Sequence, residues 1–198
     1  MNEATRVTTG LVRLSYANLF KPMSIAGSKP KYSVSVIIPK KDKATIEAVK
    51  KAIEAAKEEF MEKYGKKAAQ DPKFRNPLLD GDKKGDEAYK ESYYINAKSD
   101  LKPKIFNRSG EDIVEETEVY SGCYGRVSIN FYGYNNAGKG ISAGLRGVKK
   151  YQDGEPLGGS ANVREDFDDD FDDDDEFGLD DIDSIGGYDD FDDEDEDF

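Results

Sequence analysis

The 198-residue sequence has no histidine and a single cysteine, Cys123. An internal disulfide needs two cysteines, and one cysteine without histidine falls short of the ligand set of a zinc site. Cys123 also has no histidine to activate it as a nucleophile, so the sequence predicts a small buried hydrophobic residue at this position. These shortages argue against the usual forms of thiol and zinc catalysis.

Long hydrophobic runs are also missing. No apolar stretch approaches the ~20 residues of a membrane-spanning helix. Residues 1–16, MNEATRVTTGLVRLSY, lack the charged and then apolar order of a signal peptide. We therefore expect a soluble, cytoplasmic protein that does not bind membranes.

Basic residues are absent from residues 165–198, which contain 21 of the 42 acidic residues. The rest of the chain has the other 21 acids and all 29 lysines and arginines, a net charge of +8, although the whole chain carries −13. Self-repulsion and sparse apolar residues predict a disordered tail, which we place at 161–198 after a domain at 1–160. A basic domain joined to a polyanion indicates a polyanionic partner for the domain.

The domain reads as mainly β with one helix. Apolar residues at helical spacing predict a helix at 43–64, which Asp42 caps and Gly65 ends. The segment 66–91 is rich in Lys, Asp, Gly and Pro and is expected to form a long mobile loop. Strands are expected at 6–16, 31–38, 92–98, 102–106, 124–135 and 141–151. Five or six strands with one helix fit a small barrel like the oligonucleotide-binding (OB) fold, and a β-sandwich is the alternative.

The strand expected at 124–135 carries the most informative pattern, because side chains alternate between the two faces of a strand. Its core face has Val127, Ile129 and Phe131. Its other face has Tyr124, Arg126, Ser128, Asn130, Tyr132 and Tyr134. Aromatic rings stack on bases and adjacent cations hold phosphates, so this face predicts binding of single-stranded nucleic acid. The alternative is that the tyrosines cover a second hydrophobic layer.

Other strands repeat this combination of rings and cations. In the strand at 92–98, Tyr94 and Lys98 share one face, whereas Tyr93 and Ile95 share the other. Tyr94 is therefore the stacking candidate and Tyr93 the core candidate. The remaining candidate contacts to a single strand are Arg13, Lys31, Lys104, Phe106, Arg146 and Lys149.

Two segments resemble catalytic or nucleotide-binding motifs but fit them poorly. GYNNAGK at 133–139 has the spacing of a phosphate-binding loop, but Gly140 follows it and it joins two strands, so a hairpin turn is expected. The carboxylates of DGDKKGDE at 80–87 could hold a nuclease metal, but the glycines and lysines favour a turn. We expect no catalytic residue, cofactor or metal site, and a metal-dependent nuclease is the less favoured alternative.

Four segments carry a resemblance to a known family: VRLSYANLFKP (12–22), KPKYSVSVIIPK (29–40), YYINAKS (93–99) and VYSGCYGRVSINFYGYNNAGKGISAGLRGVKKYQDGEPLGG (119–159). They resemble phage and prophage single-stranded DNA-binding proteins. The resemblance implies an OB fold and sequence-independent binding of single-stranded DNA during phage replication or recombination.

The acidic tail, which ends in Asp197 and Phe198, is similar to the tails of bacterial and podophage single-strand binding proteins. That similarity implies that the tail competes with DNA for the binding groove. It also implies that Phe191, Asp197 and Phe198 contact a phage or host DNA polymerase, helicase or recombinase. This tail lacks the proline of the bacterial tail tip. The alternative is a protein-interaction module, such as an acidic chaperone for a basic partner.

Overall fold

The computed structural model describes residues 2–24, 29–136 and 138–157. The predicted acidic tail, with Phe191, Asp197 and Phe198, lies outside these residues. Within them the strands are β1 (Arg6–Thr8), β2 (Val12–Met23), β3 (Lys31–Pro39), β4 (Leu79–Asp80), β5 (Ser92–Ser99), β6 (Lys104–Phe106), β7 (Tyr124–Asn135) and β8 (Lys139–Gln152). The α-helices are α1 (Lys43–Tyr64) and α2 (Lys66–Ala69). No helix of the described part is long and apolar enough to cross a membrane.

Five strands close into a barrel in the order β2, β3, β5, β8 and β7, and β7 returns to β2. Neighbouring strands in this ring are antiparallel except β5 and β8, which run parallel. The seam between β2 and β7 has only two residue pairs, Val12 with Gly125 and Arg13 with Tyr124, so the barrel is unevenly closed. This arrangement confirms the predicted OB-like barrel with one main helix.

The structure divides the single strand expected at 6–16 into β1 and β2. Gly10 lies at the break, where its N–H donates to Thr45 Oγ1 at 2.8 Å. A Cβ atom at Gly10 would lie 2.8 Å from the side chains of Asp42 and Thr45, so the chain turns against the start of α1. The short strands β1 and β4 raise the number of strands in the described part to eight, compared with the five or six expected.

The helix expected at 43–64 is confirmed as α1. Asp42 accepts a hydrogen bond from the Thr45 N–H at 3.1 Å, and the chain leaves the helix at Gly65, which has a φ of 85°. Phe60 packs against Gly133 of β7, where a Cβ atom would lie 2.6 Å from the ring. The apolar face of α1 thereby covers the inner side of β7, and each fully buried large side chain contributes about 1.5–3 kcal/mol.

The segment expected as a loop at 66–91 contains short regular elements. It includes α2, β4, and 3-10 helices at Gly81–Lys83 and Glu87–Tyr89. Two of these turns are capped by aspartates, because Asp80 accepts from the Asp82 N–H and Asp86 from the Ala88 N–H. Tyr89 is fully buried, so the segment packs on the barrel. Composition alone predicted the turns but not this packing.

Cys123 is fully buried among hydrophobic side chains, as the sequence predicted. Burial raises the pKa of its thiol, because the thiolate loses its hydration. Cys123 therefore contributes to packing between β2 and β7, where its carbonyl accepts from the Leu14 N–H at 3.0 Å.

Candidate nucleic-acid interface

Strand register aligns one outward-facing residue from each barrel strand. Ser33 pairs with Asn18 and Lys98, and Gly144 pairs with Lys98 and Asn130. We call these five residues the polar row. Adjacent strands lie ~4.8 Å apart, so the row crosses about 19 Å of the outer surface. Val34 and Ala97, which are next to row residues on β3 and β5, are buried, so the barrel core lies directly beneath.

Tyr132 reaches over the polar row from β7. Its ring atoms Cε1 and Cδ1 lie 3.4 and 3.8 Å from the position that a Cβ atom at Gly144 would occupy. The side chain is 44% exposed, and Val127, Ile129 and Phe131 on the opposite face are buried. The predicted division of β7 into a core face and an outer face is therefore confirmed, and its outer face presents an open ring.

A surface cavity of about 230 Å³ lies beside Tyr132. Its lining includes Lys29, Lys31, Ser33, Lys98, Tyr132 and Ser142. Three of the residues predicted from sequence, Lys31, Lys98 and Tyr132, therefore meet in one place. The cavity combines a ring that can stack on a base with ammonium groups that can hold phosphates.

The cations around this cavity differ in their partners. Lys31 and Lys29 both pair with Asp100, at 3.4 and 3.6 Å. The hydrogen bond from Lys31 is the main reason that the pKa of the Asp100 carboxyl falls below its usual value. Lys98 has no ion pair within the described residues. A phosphate can therefore bind Lys98 without displacing a carboxylate, whereas at Lys31 it competes with Asp100.

The cationic surface continues along β8 towards β6. Lys104 and Phe106 lie beside Gly147 and Lys149 of β8, and Arg126 of β7 lies opposite Lys149. No ion pair joins Lys104 or Lys149 to a carboxylate in the part of the chain described. The predicted residues of β6, β7 and β8 thus share one outer surface.

Arg146 occupies a bulge in this surface. Ile129 pairs with Leu145 and Ser128 with Gly147, which leaves Arg146 without a partner on β7. Its side chain is exposed, and within the described residues it forms no ion pair. Bulges redirect side chains, and this one adds a free guanidinium group to the cationic surface.

Tyr151 was not among the predicted residues. Lys149 Nζ and Arg108 Cζ lie 5.8 and 6.0 Å from the centroid of its ring. Tyr151 is two residues after Lys149 on β8. The two-residue period of a strand alone could therefore have placed it on the outer face with Lys149.

Arg13 and Tyr124 hold the chain that follows β8. Arg13 donates through Nε to the Gly122 carbonyl at 3.3 Å and through Nη2 to the Glu155 carbonyl at 2.8 Å. The Tyr124 ring lies against Gly154, where a Cβ atom would be 2.6 Å from Cε2. Along β7, Tyr124 is about 26 Å from Tyr132. The structure therefore does not bring these two residues to the cavity, and the Tyr124 ring instead packs on the segment that follows β8.

Three further predicted residues are partly engaged within the protein. Arg126 donates through Nε to the Thr9 carbonyl at 2.8 Å. Tyr94 is half-buried, and its ring centroid lies 5.1 Å from that of Tyr89. Tyr134 is half-buried and lies opposite Gly140 at the β7–β8 hairpin. Tyr132 is thus the most exposed of the four tyrosines predicted to stack.

Arg75 is a cation that the sequence pattern did not reveal. Its N–H donates to the Lys139 carbonyl, and its carbonyl accepts from the Ile141 N–H, both at 3.0 Å. A Cβ atom at Gly140 would lie 2.8 Å from the Cβ atom of Arg75, so Arg75 lies directly beside Gly140, the residue that pairs with Tyr134. Arg75 is exposed and unpaired with any carboxylate in the described part. Its segment has no strand pattern, and only the pairing with β8 places it at the interface.

The acidic segment 80–87 does not gather metal ligands. Asp80 and Asp82 both pair with Lys40, at 2.8 and 2.5 Å. Their hydrogen bonds with Lys40 lower the pKa of both carboxyls. In the described part of the chain, no group of three or more acidic or cysteine side chains is arranged to hold a metal ion.

Comparisons with known proteins match this chain to phage proteins. A family model described as Enterobacter phage Enc34, ssDNA-binding protein, matches residues 5–178. Putative protein p50 of Acyrthosiphon pisum secondary endosymbiont phage 1 is 37% identical over 169 residues, which cover 80% of this chain and 90% of that protein.

Solved structures of phage proteins are also similar. The single-stranded DNA-binding protein from bacteriophage Enc34 in complex with ssDNA has a TM-score of 0.66 and 26% identity, over 79% of this chain and 91% of that chain. The single-stranded DNA-binding protein gp2.5 of bacteriophage T7 has a TM-score of 0.60, over 81% of this chain and 93% of that chain. Its identity is 17%, so it supports the fold alone.

Proposed function

The chain belongs to the family of the Enterobacter phage Enc34 ssDNA-binding protein, and from this premise we propose that it binds single-stranded DNA without sequence preference. The observation that carries the proposal is the exposed Tyr132 ring beside Lys98, which has no ion pair among the described residues, and the cavity between them. The similar Enc34 protein has been solved with ssDNA bound. We place its action in phage DNA replication or recombination, in the host cytoplasm.

In the proposed complex the DNA strand follows the polar row across the barrel. Tyr132 stacks on a base, a contact worth about 1–3 kcal/mol. The phosphates lie on either side of this base. Seven cations supply positive charge for them: Lys31, Lys98, Lys104, Arg75, Arg126, Arg146 and Lys149.

The absence of sequence preference follows from how the amides of the polar row are used. Asn18 donates through Nδ2 to the Tyr16 carbonyl and to Ser33 Oγ, both at 3.2 Å. Asn130 accepts from Thr5 Oγ1 at 3.4 Å. These contacts use the donor group of Asn18 and the acceptor oxygen of Asn130, so only part of each amide is left to read base edges. Recognition then depends on a ring and on cations, which accept any base.

The acidic tail has two proposed roles, competition with DNA and recruitment of proteins. Residues 1–164 carry a net charge of +8, whereas residues 165–198 have 21 acids and no base. A flexible chain of this length spans roughly 30–35 Å, enough to cover much of a small domain. Phe191, Asp197 and Phe198 are the proposed contacts to a phage or host polymerase, helicase or recombinase. Pull-downs with a Phe191→Ala, Phe198→Ala variant test recruitment. We expect this variant to lose a replication partner that the wild type retains.

Fluorescence polarisation of labelled oligonucleotides tests DNA binding. Single strands of several compositions and one duplex are titrated with wild type, Tyr132→Leu and Tyr64→Leu across a range of salt. We expect similar affinities for all single strands, and a 5- to 100-fold loss for Tyr132→Leu. Tyr64 is an exposed tyrosine at the end of α1 and provides the matched control.

Three results would contradict the proposal. If the protein releases single strands in moderate salt, the interaction-module alternative is favoured. If Tyr132→Leu binds as tightly as Tyr64→Leu, the site lies elsewhere. Intact labelled strands after incubation with magnesium are expected, whereas their degradation would favour the nuclease alternative.

A further inference from the structure

Tyr16 of β2 has an unusual backbone. Its φ of 46° lies in the left-handed region, which is rare for a bulky aromatic residue. It occupies a bulge, because Ser15 pairs with Ser35 and Asn18 with Ser33, which leaves one extra residue on β2. Its side chain is 61% exposed, more than any other described aromatic residue. An exposed ring on a strained backbone is a candidate for function.

Neighbouring polar groups maintain this conformation. Asn18 donates through Nδ2 to the Tyr16 carbonyl at 3.2 Å, and the Ala17 N–H donates to Ser121 Oγ at 3.1 Å. The strain is therefore supported by hydrogen bonds on both sides of the bulge. One of these partners, Asn18, also belongs to the polar row, so the bulge is joined directly to the proposed DNA path.

A cation is fixed beside the exposed ring. Lys84 Nζ lies 4.8 Å from the ring centroid of Tyr16, 3.3 Å from that of Tyr89 and 5.3 Å from that of Tyr94. Tyr89 is fully buried and Tyr94 is half-buried, so these two rings hold the ammonium group against the barrel. Tyr16 alone offers most of its surface to solvent.

This cluster lies on the same outer face as the polar row. Tyr94 is four residues before Lys98 on β5, about 13 Å along the strand. Tyr16 is two residues from Asn18 on β2 and Tyr132 is two residues from Asn130 on β7, so these two rings lie towards opposite ends of the row. Because Lys84 already occupies the space among the three rings, a cationic ligand has no place there. A planar base beside the open ring and a phosphate beside the ammonium group fit the chemistry.

We propose that Tyr16 is a second base-stacking position for single-stranded DNA and that Lys84 neutralises the phosphate next to it. This proposal rests on the proposed function. It makes the DNA path longer than the Tyr132 cavity and assigns a role to the segment that carries Lys84.

An oligonucleotide length series tests Tyr16. Affinity is measured for single strands of increasing length with wild type, Tyr16→Leu, Tyr16→Phe and the control Tyr64→Leu. We expect Tyr16→Leu to bind the longest strands 5- to 100-fold more weakly, with no change for strands that cover only the Tyr132 cavity. Tyr16→Phe keeps a ring and should bind as wild type. Equal curves for Tyr16→Leu and wild type would overturn the proposal.

Misfolding is controlled with Tyr16→Gly, because glycine adopts a φ of 46° without strain. This variant should unfold no earlier than Tyr16→Leu and show the same loss of affinity for long strands. Retained affinity in Tyr16→Gly would count against stacking.

Salt dependence tests Lys84. Lys84→Met should reduce the log–log salt slope by about 0.7, whereas Lys83→Met, the neighbouring exposed lysine, should not. An unchanged slope for Lys84→Met would remove it from the site. If wild type does not bind single strands, the proposed function fails. If Tyr132→Leu weakens binding and Tyr16→Leu does not, only this inference fails.

Discussion

The ring of Tyr132 lies against Gly144 of the neighbouring strand, with Cε1 3.4 Å from the position that a Cβ atom at Gly144 would occupy. Tyr132 pairs with Ser142, so Gly144 is its diagonal neighbour on the same face. Glycine weakens a strand interior but permits close approach. Here it lets the ring lean over the polar row next to Lys98, which pairs with Gly144.

Gly144→Val should therefore weaken DNA binding without removing any group that contacts DNA. The two added methyl groups would push the Tyr132 ring away from the row. We expect an affinity loss of about 1 kcal/mol or more, since a misplaced ring loses part of its stacking energy of about 1–3 kcal/mol. Fluorescence polarisation with a labelled single strand measures it.

A double-mutant cycle supplies the control for this substitution. In a Tyr132→Leu background, Gly144→Val has no ring to displace, so little further loss is expected. If Gly144→Val costs the same free energy of binding in both backgrounds, it acts through something other than the ring.

The cations that form no ion pair within the described part of the chain should determine the salt dependence of binding. Each phosphate contact with single-stranded DNA contributes about −0.7 to the slope of log K against log salt. Lys98→Met and Arg75→Met should each make the slope shallower by about this amount. Lys51→Met, on the exposed side of α1, should leave it unchanged. Equal slopes for Lys98→Met and Lys51→Met would show that Lys98 does not contact a phosphate.

The resemblance to phage single-stranded DNA-binding proteins, stated from sequence, is confirmed by the family match. Local periodicity also predicted α1 and the two faces of β7, because each pattern lies within one element. The burial of Val127, Ile129 and Phe131 opposite Tyr132 follows directly from period two.

What the sequence did not predict depends on contacts between distant segments. Arg75 reaches the interface only because its backbone pairs with Lys139 and Ile141, and nothing in its own segment indicates a strand. Arg13 is a cation on a strand, as expected of a phosphate contact, but its guanidinium group donates to the carbonyls of Gly122 and Glu155. Such pairings are set by tertiary geometry and have no local signature.

The ion pairs of Lys40 should make stability depend on pH in a defined window. Its hydrogen bonds with Asp80 and Asp82 raise the pKa of Lys40, mainly through Asp80, and lower those of both carboxyls. The stability that the two carboxylates contribute is present above pH 3.8, their ordinary pKa. It is lost as pH falls through their lowered pKa values. The lysine contribution is complete below its ordinary 10.5 and is lost as pH rises through the raised value.

Lys40→Met should therefore lower the free energy of unfolding at pH 7 only slightly, since solvent screens ion pairs at the surface. Urea unfolding should show that the difference in free energy of unfolding between Lys40→Met and wild type shrinks as pH falls below 3.8. Lys57→Met, which removes a 4.0 Å pair with Glu54, is the control and should show almost no gap. A gap for Lys40→Met that persists unchanged at low pH would contradict the assignment.

Deletion of residues 165–198 should tighten the binding of single-stranded DNA. The 21 acids of the tail are tethered to residues 1–164, which carry +8, so their effective concentration at the cationic surface can reach the millimolar range. The gain should be largest at low salt, because the Debye length shrinks from about 30 Å at 0.01 M to about 10 Å at 0.1 M. A tail of the same length with Asn and Gln in place of the acids separates charge from length and should behave as the deletion. If the deletion binds equally or more weakly at low salt, the tail does not compete with DNA.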